Sequence, residues 1–177
     1  MTTIKKAVTQ RAQRVRGRGK PSADPYREQL PPRLTARCSQ CGAIYRHKRW
    51  QLPDTISLSP RERTRLLSVL CPGCRKMRDR YANGVVTLRW PKQEAARRVI
   101  LNLIKHQEEW GRMGNPLERI ISLETKGDRL TVSTTNERLA QRIGRALERA
   151  FHGKVAYQWS RENKLLRVQW AQEAVSV

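Results

Sequence analysis

Two short cysteine pairs constrain this chain more than any other feature. They are Cys38-Ser39-Gln40-Cys41, followed by Gly42, and Cys71-Pro72-Gly73-Cys74, with 29 residues between them. A CxxC turn places two thiolates on one tight loop whose amides hydrogen-bond the sulfurs. Two such loops complete a tetrahedral four-thiolate site with metal–sulfur bonds of about 2.3 Å. Gly42 permits the left-handed backbone of a zinc knuckle. Pro72 and Gly73 pre-shape the second loop, and the stretch 75–81 is predicted to form a helix starting on its cysteines. Zinc suits four thiolates best, with iron or a redox dithiol as alternatives. A redox pair would sit beside a thioredoxin-like βαβ pattern, and none occurs here. Four thiolates leave no coordination position for water, so one Zn2+ is expected to be structural, with cofactor chemistry and catalysis absent.

The charge says what such a module would meet. The chain has 177 residues, 37 Lys/Arg against 15 Asp/Glu, and a net charge of +22. Self-repulsion of that size is relieved by a polyanion, and a nucleic-acid backbone is the usual one, because each Lys or Arg that pairs with a phosphate releases a condensed counterion. Residues 1–37 carry 10 basic and 2 acidic side chains, residues 38–91 carry 11 and 3, and residues 92–177 carry 16 and 10. The first two regions are almost purely basic and are the expected contact surface; the last is a mixed-charge surface of ordinary globular type.

No apolar run approaches the ~20 residues that span a bilayer, so no membrane partner is expected. No apolar signal core occurs near the start, and the cysteines are spaced for metal rather than for disulfides. A reducing compartment, the cytoplasm, is therefore expected, although an Arg-rich, acid-poor start also suits a mitochondrial transit peptide.

The predicted organisation has four parts. Residues 1–33 form a disordered basic arm, too poor in apolar side chains to offset ordering entropy. Residues 34–90 form the four-cysteine zinc module, treble-clef or zinc-ribbon-like. Residues 91–114 form a connecting helix with Val99, Ile100, Leu103 and Ile104 on one face. Residues 115–172 form a small ββαββ domain. In it Ile121 and Leu123 alternate with polar residues, Lys126-Gly127-Asp128 turns, and Leu130 and Val132 alternate back. Asn136 caps a helix with Leu139, Ile143, Leu147 and Phe151 inside. A last hairpin carries Val155, Tyr157 and Trp159, then Leu166, Val168 and Trp170. The fold class is thus α+β.

Candidate nucleic-acid contacts follow from position. Arg14, Arg16, Arg18 and Lys20 lie in the arm, and Arg37 precedes the first cysteine. Arg46, Lys48, Arg49 and Trp50 belong to a run in which cations interleave with aromatics, suited to phosphates and to stacking. Packing under the zinc loops is the other reading of Tyr45 and Trp50. Arg75, Lys76, Arg78 and Arg80 radiate from the short helix after the second pair. Arg61, Arg63 and Arg65 read either as one more basic contact run or as the solvated face of an amphipathic helix with Leu66, Leu67, Val69 and Leu70. His47 is expected at the surface, and His106 and His152 at the surface or in satisfied packing. The chain has no Walker loop, GxSxG, HExxH or dinucleotide fingerprint, so no enzyme is expected.

Paired CxxC knuckles, a helix and a small α+β domain resemble, as a bacterial relative would, the N-terminal zinc-binding part of the large-ribosomal-subunit export adaptor family, the nonsense-mediated-decay protein three. The stretch Gly127-Asp128-Arg129-Leu130-Thr131-Val132-Ser133-Thr134-Thr135 with the helix after it is similar to that family's segment beyond its zinc region. The resemblance spans roughly residues 37–170. The chain departs from the family in having one set of paired cysteines and no room for the further β-rich domains. The resemblance implies zinc ligation by Cys38, Cys41, Cys71 and Cys74 and binding to the large subunit.

The expectation is a non-enzymatic, zinc-stabilised protein that binds RNA, chiefly ribosomal RNA, and associates with the large subunit in assembly, hibernation or quality control. Its C-terminal domain would meet ribosomal proteins. A DNA-binding regulator, with the 75–81 helix in a groove, and a protein-interaction adaptor are the alternatives.

Overall fold

The computed structural model describes residues 25–26, 28–89, 91–151, 153–160 and 164–172. The arm candidates Arg14, Arg16, Arg18 and Lys20, and also His152, lie outside the described residues. Among the described residues the protein is mixed α+β, with four α-helices and two sheets.

The first sheet is small. Strands β1 (Ala36–Cys38), β2 (Ile44–Arg46), β3 (Arg49–Gln51) and β4 (Leu67–Val69) lie in the order β3-β2-β1-β4. Only the β1–β4 pair is parallel. Strands β2 and β3 join through a two-residue turn at His47 and Lys48, whose φ angles of 50° and 66° are both positive. Such a turn normally takes Asn-Gly, so its sequence signal is missing here.

Helix α1 (Pro60–Thr64) is set by a Ser59/Glu62 capping box. It ends where the amphipathic reading of residues 61–70 would have continued it. Residues 67–69 instead pair with β1, Val69 opposite Cys38, which delivers the chain to Cys71 beside the first cysteine pair. Leu67 is exposed, while Val69 and Leu70 pack on the module core from this extended segment. Helix α2 (Pro72–Arg78) follows, with Cys71 as its N-cap.

The second sheet holds β5 (Gly84–Arg89), β6 (Ile120–Lys126), β7 (Arg129–Thr134), β8 (Gly153–Ser160) and β9 (Leu165–Gln172), in the order β6-β7-β5-β9-β8. Helices α3 (Glu94–Gly114) and α4 (Glu137–Phe151) complete the unit. Here the sequence-based boundary at residue 90 is corrected. Strand β5 is the centre of the second sheet, antiparallel to β7 and parallel to β9, with Val86 opposite both Val132 and Val168. The unit is therefore βαββαββ, with a split β-α-β in which β7 lies between the parallel strands β5 and β6 that α3 connects, and with β9 between β5 and the edge strand β8.

Helix α3 is likewise more than a connector. It puts Ile100 and Ile104 into the same core as Leu139, Ile143 and Leu147 of α4 and Val86, Leu130, Leu166 and Val168 of the sheet. Asn136 caps α4 as expected, its Oδ1 accepting from the Leu139 amide at 3.0 Å. Trp170 is buried against Phe151, whereas Tyr157 and Trp159 on edge strand β8 are exposed, the Tyr157 hydroxyl still reaching Gly144 and Arg145 of α4.

Among the described residues the ties between the two sheets include Lys76 and Leu117. Lys76 Nζ donates to Asn83 Oδ1 at 2.6 Å and to the Thr135 carbonyl at 3.3 Å. Leu117 packs on the core of the first sheet, and its carbonyl accepts from Thr135 Oγ1 at 2.6 Å.

Candidate metal centre and its cationic surface

The first cysteine pair sits where β1 runs out. Cys38 N–H donates to the Ala43 carbonyl at 2.8 Å and Gly42 N–H to the Cys38 carbonyl at 3.0 Å, closing a knuckle that Gly42 completes at φ 76°. The second pair is set by α2. Cys71 caps the helix, Pro72 occupies a position where no amide donor is needed, and Cys74 lies in the first turn. Gly73 is there for close approach. A Cβ on it would come within 3.1 Å of Leu117 Cα and 3.2 Å of the Leu117 carbonyl oxygen.

The four sulfurs converge, all within 4.8 Å of one another, and none of the cysteines is in a disulfide. Backbone amides already point at them: Cys71 N–H at Cys38 Sγ and Cys74 N–H at Cys71 Sγ, each at 3.4 Å. Cys38, Cys71 and Cys74 are buried, and Cys41 is half-exposed. One further group faces the cluster. Arg119 Nη1 lies 3.8 Å from Cys74 Sγ, a guanidinium placed to offset thiolate charge from just outside the ligand set.

The electrostatics of the protein alone show why a cation fits. A hydrogen bond from the Cys71 thiol holds Cys41 down at about 4, well below an ordinary thiol. That same bond, with burial, pushes Cys71 up. Burial pushes Cys74 up to about 12. The Cys41 thiolate thus opposes ionisation of Cys71, burial first and Cys41 second oppose it at Cys74, and full deprotonation needs positive charge among the sulfurs. Four convergent soft donors with amide support fit one metal ion; they form a closed set with no carboxylate or histidine ligand.

The structure sorts the predicted nucleic-acid residues into exposed and committed groups. Arg37, Lys48, Arg49 and Arg80 are exposed. Lys48 and Arg49 stand at the tip of the β2–β3 hairpin, and Arg37 borders a surface cavity of about 710 Å³ that reaches Cys41. Arg75 is half-buried. Arg46 pairs with Glu62 at 2.9 Å and Arg78 with Asp79 at 2.7 Å.

Two candidates are corrected. Trp50 is buried with 7% exposure, its Nε1 donating to Glu28 Oε2 at 2.6 Å and its ring tilted against Tyr45. Lys76 is buried with 8% exposure and is held by Asn83 and Thr135. The first packs the module and the second ties it to the second sheet, so neither reaches solvent to meet a ligand.

Glu28 also corrects the arm. Residues 28–30 strap the module, since Tyr45 Oη donates to the Leu30 carbonyl at 3.0 Å and Leu30 packs on the module core. Tyr26 joins them by donating to Asp79 Oδ2 at 2.8 Å. His47 and His106 are exposed. Sequence reasoning missed Arg119, which lies 45 residues beyond the cysteine it faces and belongs to no local motif.

Among the described residues no helix is long and apolar enough to cross a membrane. No protein-family model, curated protein or solved structure matches this chain.

Proposed function

We propose that this chain is a non-enzymatic, zinc-stabilised RNA-binding protein that associates with the ribosome, through the large subunit. The observation that carries the reading is the company the sulfur cluster keeps: four convergent thiols in one module with a hairpin that presents Lys48 and Arg49 to solvent, with Arg37 lining the same surface cavity as Cys41 and Arg80 exposed just after α2, on a chain of net charge +22. Zinc is the ion that four thiolates in this spacing suit best, and with four protein ligands its work is to hold the module together. A knuckle carrying one pair, a hairpin, and a helix start carrying the other follow the order of a treble clef. The cationic groups would take phosphates, and the sequence resemblance to the export-adaptor family points to the large subunit as the partner. The cytoplasm is the compartment where reduced thiols and ribosomes coincide.

The DNA-regulator reading is less well supported. Four of the seven α2 residues, Pro72, Gly73, Cys74 and Lys76, are buried, so this helix has little free surface to lay in a groove. The adaptor reading keeps one feature in its favour, the exposed pair Tyr157 and Trp159 on β8. Sucrose-gradient sedimentation of tagged protein at low and high salt tests the proposal. Co-migration with large subunits at low salt, lost at high salt, is the expected result. A profile confined to the top of the gradient at low salt would refute the ribosomal partner.

A further inference from the structure

Helix α4 carries Arg138, Arg142, Arg145 and Arg149, spaced by four, three and four residues, so the helical repeat lines them along one stripe. At about 1.5 Å per residue the stripe is roughly 16 Å long. It borders a groove of about 580 Å³ whose other wall is α3, with His106 and Trp110 facing it. Arg142 is answered there: Glu118, itself buried, lies 3.0 Å from its Nη1. Gly111 makes room for that pair, since a Cβ at this position would strike both Arg142 Nη1 and Glu118 Oε2. Arg138, Arg145 and Arg149 are exposed and form no ion pair among the described residues, and Arg145 donates a hydrogen bond to the Tyr157 hydroxyl. Trp110 is 60% exposed beside them.

Three guanidiniums without carboxylates and an indole in solvent are a specific combination. Guanidinium forks match phosphate oxygens bidentately, and an indole face stacks on a nucleobase of any identity. An acidic peptide would answer the arginines but brings no obligatory flat ring for Trp110. The groove is also fixed relative to the metal module. Consecutive residues Leu117, Glu118 and Arg119 reach the module core, Arg142 and Cys74 respectively.

We propose that the α3–α4 groove is a second RNA-contact site that seats a single-stranded segment, with Arg138, Arg145 and Arg149 on phosphates and Trp110 stacked on a base. This rests on the RNA-binding reading above and adds to it a site outside the cysteine module.

The test uses the full-length zinc-loaded chain and a short fluorescein-labelled oligouridine, with affinity measured across a salt series. Circular dichroism and melting curves confirm that the variants keep their fold. The triple variant Arg138→Gln, Arg145→Gln, Arg149→Gln should flatten the slope of log K against log salt by about 2, at roughly 0.7 per phosphate contact on a single strand. Trp110→Leu should weaken binding about tenfold with the slope unchanged, and Trp110→Phe should recover most of it. If both groove variants bind like the native chain while Lys48→Gln with Arg49→Gln weakens binding, the groove assignment falls and the RNA-binding reading stands. If the native chain binds no RNA, both fall. Displacement of the RNA by polyglutamate of matched charge, indifferent to Trp110→Leu, would assign the groove to an acidic protein partner and overturn the proposal.

Discussion

The two halves of this protein are held together by different physics. The βαββαββ unit buries thirteen residues in one apolar core, among them Ile104, Leu139, Ile143, Leu147, Leu166 and Val168. Burying each such side chain contributes about 1.5–3 kcal/mol, and a core of that size sustains itself. The core cluster of the cysteine module has seven buried members, and three of them are Cys38, Cys71 and Cys74. Its strands β1 to β4 are three residues each, too short to be stable on pairing alone. With the zinc proposed above, the missing cohesion of a core built around sulfurs is what the metal would supply. On that reading order in the module is conditional on an ion, whereas order in the sheet unit is not, and the cationic hairpin belongs to the conditional half.

Replacing Cys71 and Cys74 together with Ser should have the largest effect. Zinc binding in small modules is worth on the order of 10 kcal/mol and is folding free energy. Limited proteolysis should then cut freely within residues 36–78 while residues 94–151 resist. Equal resistance of both regions would erase the distinction. Ile143→Ala strikes the other half and should cost about 2–5 kcal/mol, because the buried site cannot collapse around the lost methyls. Calorimetry should show it as a lowered melting temperature, with metal content unchanged.

Lys76→Met separates two accounts of one residue. Losing the bonds to Asn83 Oδ1 and the Thr135 carbonyl should cost about 1–3 kcal/mol of stability. The salt dependence of RNA affinity should not move; a phosphate contact at Lys76 would instead flatten it and leave stability alone. The smallest effect on stability, within about 0.5 kcal/mol, belongs to Lys48→Gln with Arg49→Gln. That variant should nonetheless reduce the slope of log K for RNA against log salt by about 1 or slightly more.

The candidate metal site was legible in the sequence because its geometry is local. Each CxxC turn fixes two ligands within four residues, and only the meeting of the two turns is long-range. Helix α4 was legible for the same reason, since Asn136 and the Leu139, Ile143, Leu147 spacing all lie within one element. Strand β5 was not. Its neighbours β7 and β9 come from far along the chain, and nothing in Gly84–Arg89 itself says which sheet it joins. Trp50 and Lys76 were misread for a related reason. A Trp amid basic residues and a Lys on a short helix both suggest solvent. Glu28, Asn83 and the Thr135 carbonyl supply the buried acceptors that make an interior position affordable, and Thr135 is 59 residues from Lys76.

Amide hydrogen exchange on the zinc-loaded chain, before and after chelation, tests the division between the two halves most directly. The account predicts that chelation strips protection from the amides of Cys38, Cys71 and Cys74 and from the β1–β2 pairing, while Val86, Val132, Ile143 and Val168 exchange as slowly as before. Retained protection at the cysteines after the metal is gone would contradict it.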